Sequence, residues 1–340
     1  MKIHVNYKRA VIATKAIVCV AAVPTLFGCG TDDQVEKSGV MTQSNLVLAQ
    51  AASGPLGSNA NDFDALVAPS TMNHAVGWFP SVTNVTSVYT LYTDGTQKPG
   101  AYGLQLNSNL PFSTPICNGR PAGCGGWQQF IYTTSDWGIE YFLFGWGACP
   151  PGQQTPGTQG CCPAADSWGS WMYDGSSYCT KWVSGVPTQG PLPAVPITQL
   201  AGMKMQADAA PGSDTLTIYL PDGTSKSLTV SPSQAGLAYG WNEAGFNVFG
   251  FNGGQAIFNP GVTIKVETDV SGSTVPPRCG FDVTSGETTN LTLVSSSCCA
   301  SYANGPRPPG ITFTESNLSP LPKPDFCLLN DITPIGSPLL

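Results

Sequence analysis

Charge is scarce in this sequence. Of 340 residues, 14 are Lys or Arg and 21 are Asp or Glu. Charged residues therefore make up 10% of the chain, where ordinary soluble domains carry about 25%. The balance is acidic, with a formal net charge of −7. That excludes docking on nucleic acid through its phosphates and on anionic lipid through charge. Histidine is scarcer still, at two residues, His4 and His74. With His4 in the export segment described below, a Ser-His-Asp or Cys-His mechanism would have to run through His74. Its surroundings, TMNHAVGW, contain no catalytic motif, and a surface or structural histidine is expected. A zinc site needs several His or free Cys, so no metal is expected. A phosphate-binding glycine loop and a dinucleotide fingerprint are both absent, so no cofactor is expected. Asp94-Gly95, Asp174-Gly175 and Asp222-Gly223 lack the alternating acidic spacing of a calcium loop and read as turns.

What is abundant points outside the cell. Gly (39) and Pro (30) punctuate the chain, and aromatics make up 10% of it, enough for a core. The first 28 residues read as a signal peptide: Lys2, Lys8, Arg9 and Lys15 precede a short apolar run from Ala16 to Gly28. The run is too short for a comfortable membrane span. Leu26-Phe27-Gly28-Cys29 resembles a lipobox, in which Cys29 would carry lipid, and Phe27 departs from the small residue usual there. With Cys19 removed and Cys29 lipidated, ten cysteines remain: Cys117, Cys124, Cys149, Cys161, Cys162, Cys179, Cys279, Cys298, Cys299 and Cys327. An even number in an exported chain implies up to five disulfides. Pairing is expected within the clusters 117–179 and 279–327. Cys117–Cys124 would close the smallest loop, and the doublets 161–162 and 298–299 would reach separate partners.

Residues 29–61, polar and small, read as a flexible tether. Residues 62–318 form the folded domain, and 319–340 a Pro-rich tail. Within the domain, Ser87–Thr93, Tyr102–Leu106, Thr215–Leu220, Lys226–Val230, Val262–Val270 and Ile311–Thr314 read as strands with turn residues between them. Ser231-Pro232 opens the one plausible helix, through about Glu243. The stretch 148–196 is a Cys- and Trp-rich, loop-rich insert held by disulfides. The expected fold is all-β, an antiparallel β-sandwich of jelly-roll type with at most one short helix.

The densest local chemistry lies between Trp127 and Gly147. Two aromatic runs flank a polar turn and read as a β-hairpin. A four-residue turn at Thr134–Trp137 would pair Thr133 with Gly138 and put Gln129, Ile131, Glu140 and Phe142 on one face. A one-residue slip would instead bring Gln128 beside Glu140. A carboxylate can activate water and a neighbouring amide can stabilise an oxyanion, so a Gln–Glu pair suffices for acid hydrolysis without histidine or metal. The carboxylate candidates within or beside strands are Glu140, Glu267, Glu287 and Glu315. A second candidate set is aromatic. Six of the eight tryptophans fall between residues 127 and 182, and Trp137, Trp168, Trp171, Tyr173 and Tyr178 could offer flat faces to sugar rings.

The segments LQLNSN (104–109), GWQQFIY (126–132), GETTNLTL (286–293) and ITFTESN (311–317) resemble a family of exported bacterial all-β proteins without an assigned activity. More remotely, the all-β layout and GVTIKVET (261–268) are similar to the glutamic peptidases, acid proteases of the concanavalin-A-like β-sandwich group. That second resemblance implies a Gln–Glu dyad from well-separated strands: Gln128 or Gln129 with Glu287 or Glu315, rather than with Glu140.

The leading expectation is an exported, lipid-anchored or secreted binding protein of the cell envelope, with a glycan as ligand. A glutamic-peptidase-like hydrolase acting on polypeptide comes second, and a structural envelope protein third. Membrane association would come only through the N-terminal lipid.

Overall fold

The computed structural model describes residues 63–174, 178–281, 288–296, 308–319 and 325–326. The chain divides after Gly39, and every described residue belongs to the second unit, Val40–Leu340. The signal peptide, the tether, Cys29, Glu287, Cys298, Cys299, Cys327 and most of the tail lie outside the described residues.

In chain order the strands begin with β1 (Phe63–Leu66), β2 (His74–Thr83), β3 (Val88–Leu91), β4 (Gln97–Pro99) and β5 (Gly103–Ser108). Next come β6 (Gly125–Thr133), β7 (Trp137–Phe144), β8 (Met172–Tyr173), β9 (Cys179–Ser184) and β10 (Lys204–Ala210). These are followed by β11 (Ser213–Tyr219), β12 (Ser225–Val230), β13 (Glu243–Phe249), β14 (Gln255–Phe258) and β15 (Thr263–Ser271). The last are β16 (Arg278–Phe281), β17 (Thr288–Thr289), β18 (Thr292–Ser296), β19 (Gly310–Ser316) and β20 (Asp325–Phe326). They form an eight-stranded sheet, β16-β1-β13-β5-β6-β7-β9-β8, and a second, β12-β11-β10-β2-β15-β19-β18-β20. A smaller third sheet has the order β17-β14-β3-β4. Pairing is antiparallel apart from β14–β17 and β18–β20. The all-β sandwich expected from the sequence is the fold observed.

Strand alternation supplies the core between the two large sheets. From the first sheet, Leu104, Leu106, Phe130, Ile139, Leu143, Phe246 and Val248 point inward; from the second, Ala75, Phe79, Met205, Leu216, Ile218, Ile264 and Val266 meet them. Phe246 and Phe79 have ring centroids 5.0 Å apart. The Phe246 ring fills the space where residue 77 would carry a side chain: a Cβ on Gly77 would lie 2.0 Å from it.

The central hairpin forms with a register two residues from the expected one. Tyr132 pairs with Trp137 and Gln129 with Glu140, so the turn is Thr133–Asp136 rather than Thr134–Trp137. The hydroxyl of Thr133 donates to the Asp136 carbonyl at 2.9 Å and accepts from its N–H at 2.9 Å. The shift puts Trp137 in the strand, wholly buried, where its Nε1 donates to the Gly190 carbonyl at 3.2 Å. Burial of a large indole outweighs the turn preference. A shift of two preserves strand parity, so the expected face membership survives.

One further expectation is corrected. The helix from Ser231 to about Glu243 does not form. Gly236 takes a left-handed conformation (φ +69°), only a 3-10 turn at Leu237–Tyr239 follows, and Glu243 opens β13. The polar groups of this segment are drawn elsewhere: Ser233 Oγ donates to Asp214 Oδ2 at 2.7 Å and accepts from the Gly236 N–H. The 148–196 insert carries only short elements, of which β9 pairs along its length with β7 and extends the first sheet. Disulfides do hold it, with Cys149 bonded to Cys161 and Cys162 to Cys179. Cys117–Cys124 closes the small loop before β6, as expected. These bridges place folding in an oxidising, extracellular setting.

Candidate functional site

The outer side of the first sheet carries polar side chains in register where a half-buried sheet would simply be solvated. Across adjacent strands Asp64, Gly245, Asn107, Gln129, Glu140 and Trp182 lie opposite one another in one row. The missing side chain at Gly245 leaves room for the Asp64 carboxylate, whose Oδ1 lies 2.0 Å from where a Cβ would stand. In the next row Asn247, Gln105, Ile131 and Gly138 follow the same order. Gln105, Asn107 and Gln129 are almost fully buried, so their amides must satisfy one another. Gln129 Nε2 donates to Gln105 Oε1 at 2.8 Å and to Asn107 Oδ1 at 3.1 Å. Both hydrogens of that amide are thereby used, and its carbonyl oxygen is what it offers to a ligand.

Beside the amides runs an aromatic strip. Trp127 packs on Phe142 with centroids 4.7 Å apart, Phe142 stacks on Phe144 at 5.8 Å and 15°, and Phe144 stacks on Tyr178 at 5.4 Å and 29°. Phe142, Phe144 and Tyr178 are partly exposed, as is Glu140. Trp182, at the end of the amide row, is 36% exposed and lies along Gly138. Amide and carboxylate oxygens therefore border a run of near-parallel rings.

Beneath this face, on the inner side of the same strands, sits a second polar group. Gln128, Tyr141 and Lys181 alternate inward and are buried with Asp214 and Gln234. Lys181 Nζ donates to Asp166 Oδ1 at 2.5 Å and to Gln234 Oε1 at 2.6 Å. Burial pushes the Asp214 carboxyl up from 3.8 to about 6, against the opposing pull of the hydrogen bond from Ser233. The Tyr141 hydroxyl is raised well above 10, first by burial and then by the charge of Asp214. For Asp166, near the surface, hydrogen bonds from Lys181 and the Trp168 N–H outweigh partial burial and hold the carboxyl below its ordinary value.

The sequence candidates are thus divided. Gln129 and Glu140 meet on the outer face. Gln128 does not reach it, since parity turns it inward. Glu315 is wholly buried and accepts from Asn247 Nδ2 at 3.0 Å; Asn247 lies opposite Gln105, the acceptor of Gln129. Glu287 lies outside the described residues. Of the aromatic candidates, Trp137, Trp171 and Tyr173 are buried and cannot present faces to a ligand; they fill the core and the disulfide-held insert. Trp168 is partly exposed, with its Nε1 bonded to the Ser231 carbonyl at 2.8 Å. Tyr178 alone joins the strip. The strip's other members, Trp127, Phe142 and Phe144, were visible in sequence as alternate residues of the hairpin. Lys181, Asp166 and Asp214 were not, because nothing in their spacing brings them together. Among the described residues no group of three or more His, Cys, Asp or Glu is arranged to hold a metal. Comparison with protein-family models, with curated proteins and with solved structures finds no match.

Proposed function

We propose that the chain is an exported binding protein whose outer first-sheet face takes a neutral, hydroxyl-rich polymer, a glycan chain. The observation that carries this reading is the partly exposed Phe142–Phe144–Tyr178 stack running beside Gln129 and Glu140. Sugar rings present apolar C–H faces to aromatic planes and hydroxyl donors to carbonyl and carboxylate oxygens. A scaffold with few charges suits an uncharged ligand. Tethering of the protein to the envelope through a lipid on Cys29 belongs to the same proposal.

Affinity electrophoresis of the disulfide-bonded chain through gels containing neutral polysaccharides tests it, with an anionic polysaccharide as control. Retardation is expected in a neutral gel, weakened about tenfold or more in Phe144→Ala/Tyr178→Ala, and unchanged in Trp168→Ala. Unretarded migration through every neutral polysaccharide by folded protein would sink the reading.

The second reading, a glutamic-peptidase-like hydrolase, draws on the direct opposition of Gln129 and Glu140. The commitment of both Gln129 amide hydrogens to Gln105 and Asn107 counts against it, because an oxyanion needs a donor. Cleavage of an unfolded substrate between about pH 3 and 7 that disappears in Glu140→Gln would reverse this order of preference.

A further inference from the structure

Among the described residues Lys181 is the only lysine or arginine that is buried, and its side chain has no exposed surface at all. An ammonium in that position is costly even when it is paired. The partner is brought to it by the chain's own covalent structure. The Cys162–Cys179 bridge ties the segment just before Asp166 to the first residue of β9, two strand positions from Lys181. Past the bridge, Asp166 and Gly169 exchange both of their backbone hydrogen bonds at 3.1 Å. This tight turn aims the Trp168 N–H at Asp166 Oδ1, 2.8 Å away.

One carboxylate oxygen therefore receives two donors, the Trp168 N–H and Lys181 Nζ, the latter at 2.5 Å. At an ordinary hydrogen-bond angle, a nitrogen so close to Oδ1 lies about 3–3.5 Å from Cγ, the range of a near-attack contact. Nζ also donates to Gln234 Oε1 at 2.6 Å, and the centroid of the buried Trp171 ring lies 5.9 Å from it. The amine end of the pair is thus closed to solvent. The Asp166 side chain is 34% exposed, which leaves a small leaving group a way out.

We propose that Asp166 and Lys181 condense to an intramolecular amide, a second kind of covalent cross-link in the insert. One proton passes from Nζ to Oδ2, leaving an amine and a carboxylic acid. The Nζ lone pair attacks Cγ and forms the C–N bond, while the carbonyl electron pair moves onto Oδ1, where the Trp168 N–H stabilises it. A second Nζ proton passes to the Oδ2 hydroxyl. Collapse restores the double bond to Oδ1 and breaks the bond from Cγ to Oδ2, which leaves as water. No oxidant, metal or activated donor is consumed, and the reaction needs to happen once per chain. The product keeps one Nζ hydrogen, which Gln234 Oε1 accepts. A charged pair with one buried member gives way to a neutral, hydrogen-bonded amide, which favours condensation where water is excluded. Gln234 is the poorer acylating partner, because the nitrogen it would have to release is held by the Pro232 carbonyl at 2.6 Å.

The test is a peptide map of the full disulfide-bonded chain, first shown to unfold in one cooperative thermal transition. After reduction, the chain is digested with trypsin and chymotrypsin and the peptides are weighed by high-resolution mass spectrometry. The expected result is that trypsin no longer cuts after Lys181. A branched peptide should join Asp166 to Lys181, lighter by one water than the sum of its two arms. In Asp166→Ala the branched peptide should disappear and cleavage after Lys181 should return. Recovery of Asp166 and Lys181 only in unmodified peptides from the folded wild-type chain would overturn the proposal. So would a branch to Gln234 that is lighter by one ammonia, or a loss of water at Lys181 that persists in Asp166→Ala.

Discussion

Two chains of polar side chains run through this molecule, built from similar residues and set in opposite surroundings. One runs into the sandwich from Asp166 near the surface through Lys181 to Gln234, with Ser233 bonded to the buried Asp214 beside it. The other, Tyr219–Gln206–Asp208–His74, lies on the outer face of the second sheet. Asp208 and Asp214 belong to the same hairpin, and strand parity alone sends one out and the other in. Their carboxyls are pushed in opposite directions. Burial raises Asp214 to about 6. Partial burial also raises Asp208, but bonds from His74 and Gln206 outweigh it and leave the group below its ordinary value. Inside, such groups are costly to leave unpaired and so govern stability. Outside, they cost little.

The sharpest way to break this comparison is at Lys181, which is wholly buried while its partner Asp166 is part-exposed. Lys181→Ala leaves Gln234, and in part Asp166, without that partner, and should cost about 3–5 kcal/mol in denaturant unfolding at pH 7. A loss below 1 kcal/mol would mean that the interior chain is no more demanding than the surface one.

Asp214 offers the next effect. Its native pKa, about 6, stands above the ordinary 3.8, so the folded state holds this proton more tightly than the unfolded chain. Its contribution is then full below about pH 3.8 and lost as pH rises through about 6, roughly 3 kcal/mol in all. Unfolding free energies measured from pH 3.5 to 7 should carry this downward component, and Asp214→Asn should remove it. Asp208 carries the reverse sign: its lowered pKa contributes stability above about 3.8, lost as pH falls through the native value.

The smallest effect is expected at that outer position. Asp208→Asn should change stability by less than about 1 kcal/mol, and His74→Gln by a similar amount. If either variant unfolded as readily as Lys181→Ala, the outer chain would be structural and the contrast would fail.

The amino-acid sequence revealed these regions unequally. The face shared by Gln129 and Glu140 could be read because period-two alternation survives a two-residue error in register. The all-β fold was legible from turn residues and alternating strands, and Cys117–Cys124 from proximity. Aromatic clustering did not distinguish Trp171 in a packed insert from a ring on a surface, because a core and a platform use the same residues. The Ser231–Glu243 helix was misread because the pull of Asp214 on Ser233 is a tertiary contact with no local mark. His74 stands 134 residues from Asp208. Local motif spacing cannot report a contact that two strands make only when they pair.

The doublet Cys161-Cys162 has a mechanical consequence. Each member bonds a different partner, Cys149 on one side and Cys179 on the other, so the insert is two closed rings hinged at a single peptide bond. A protease that nicks either ring leaves both cut ends covalently attached. An extracellular enzyme could sever the chain between 149 and 161, or between 162 and 179, without releasing a fragment. The damage would show on a gel only after reduction.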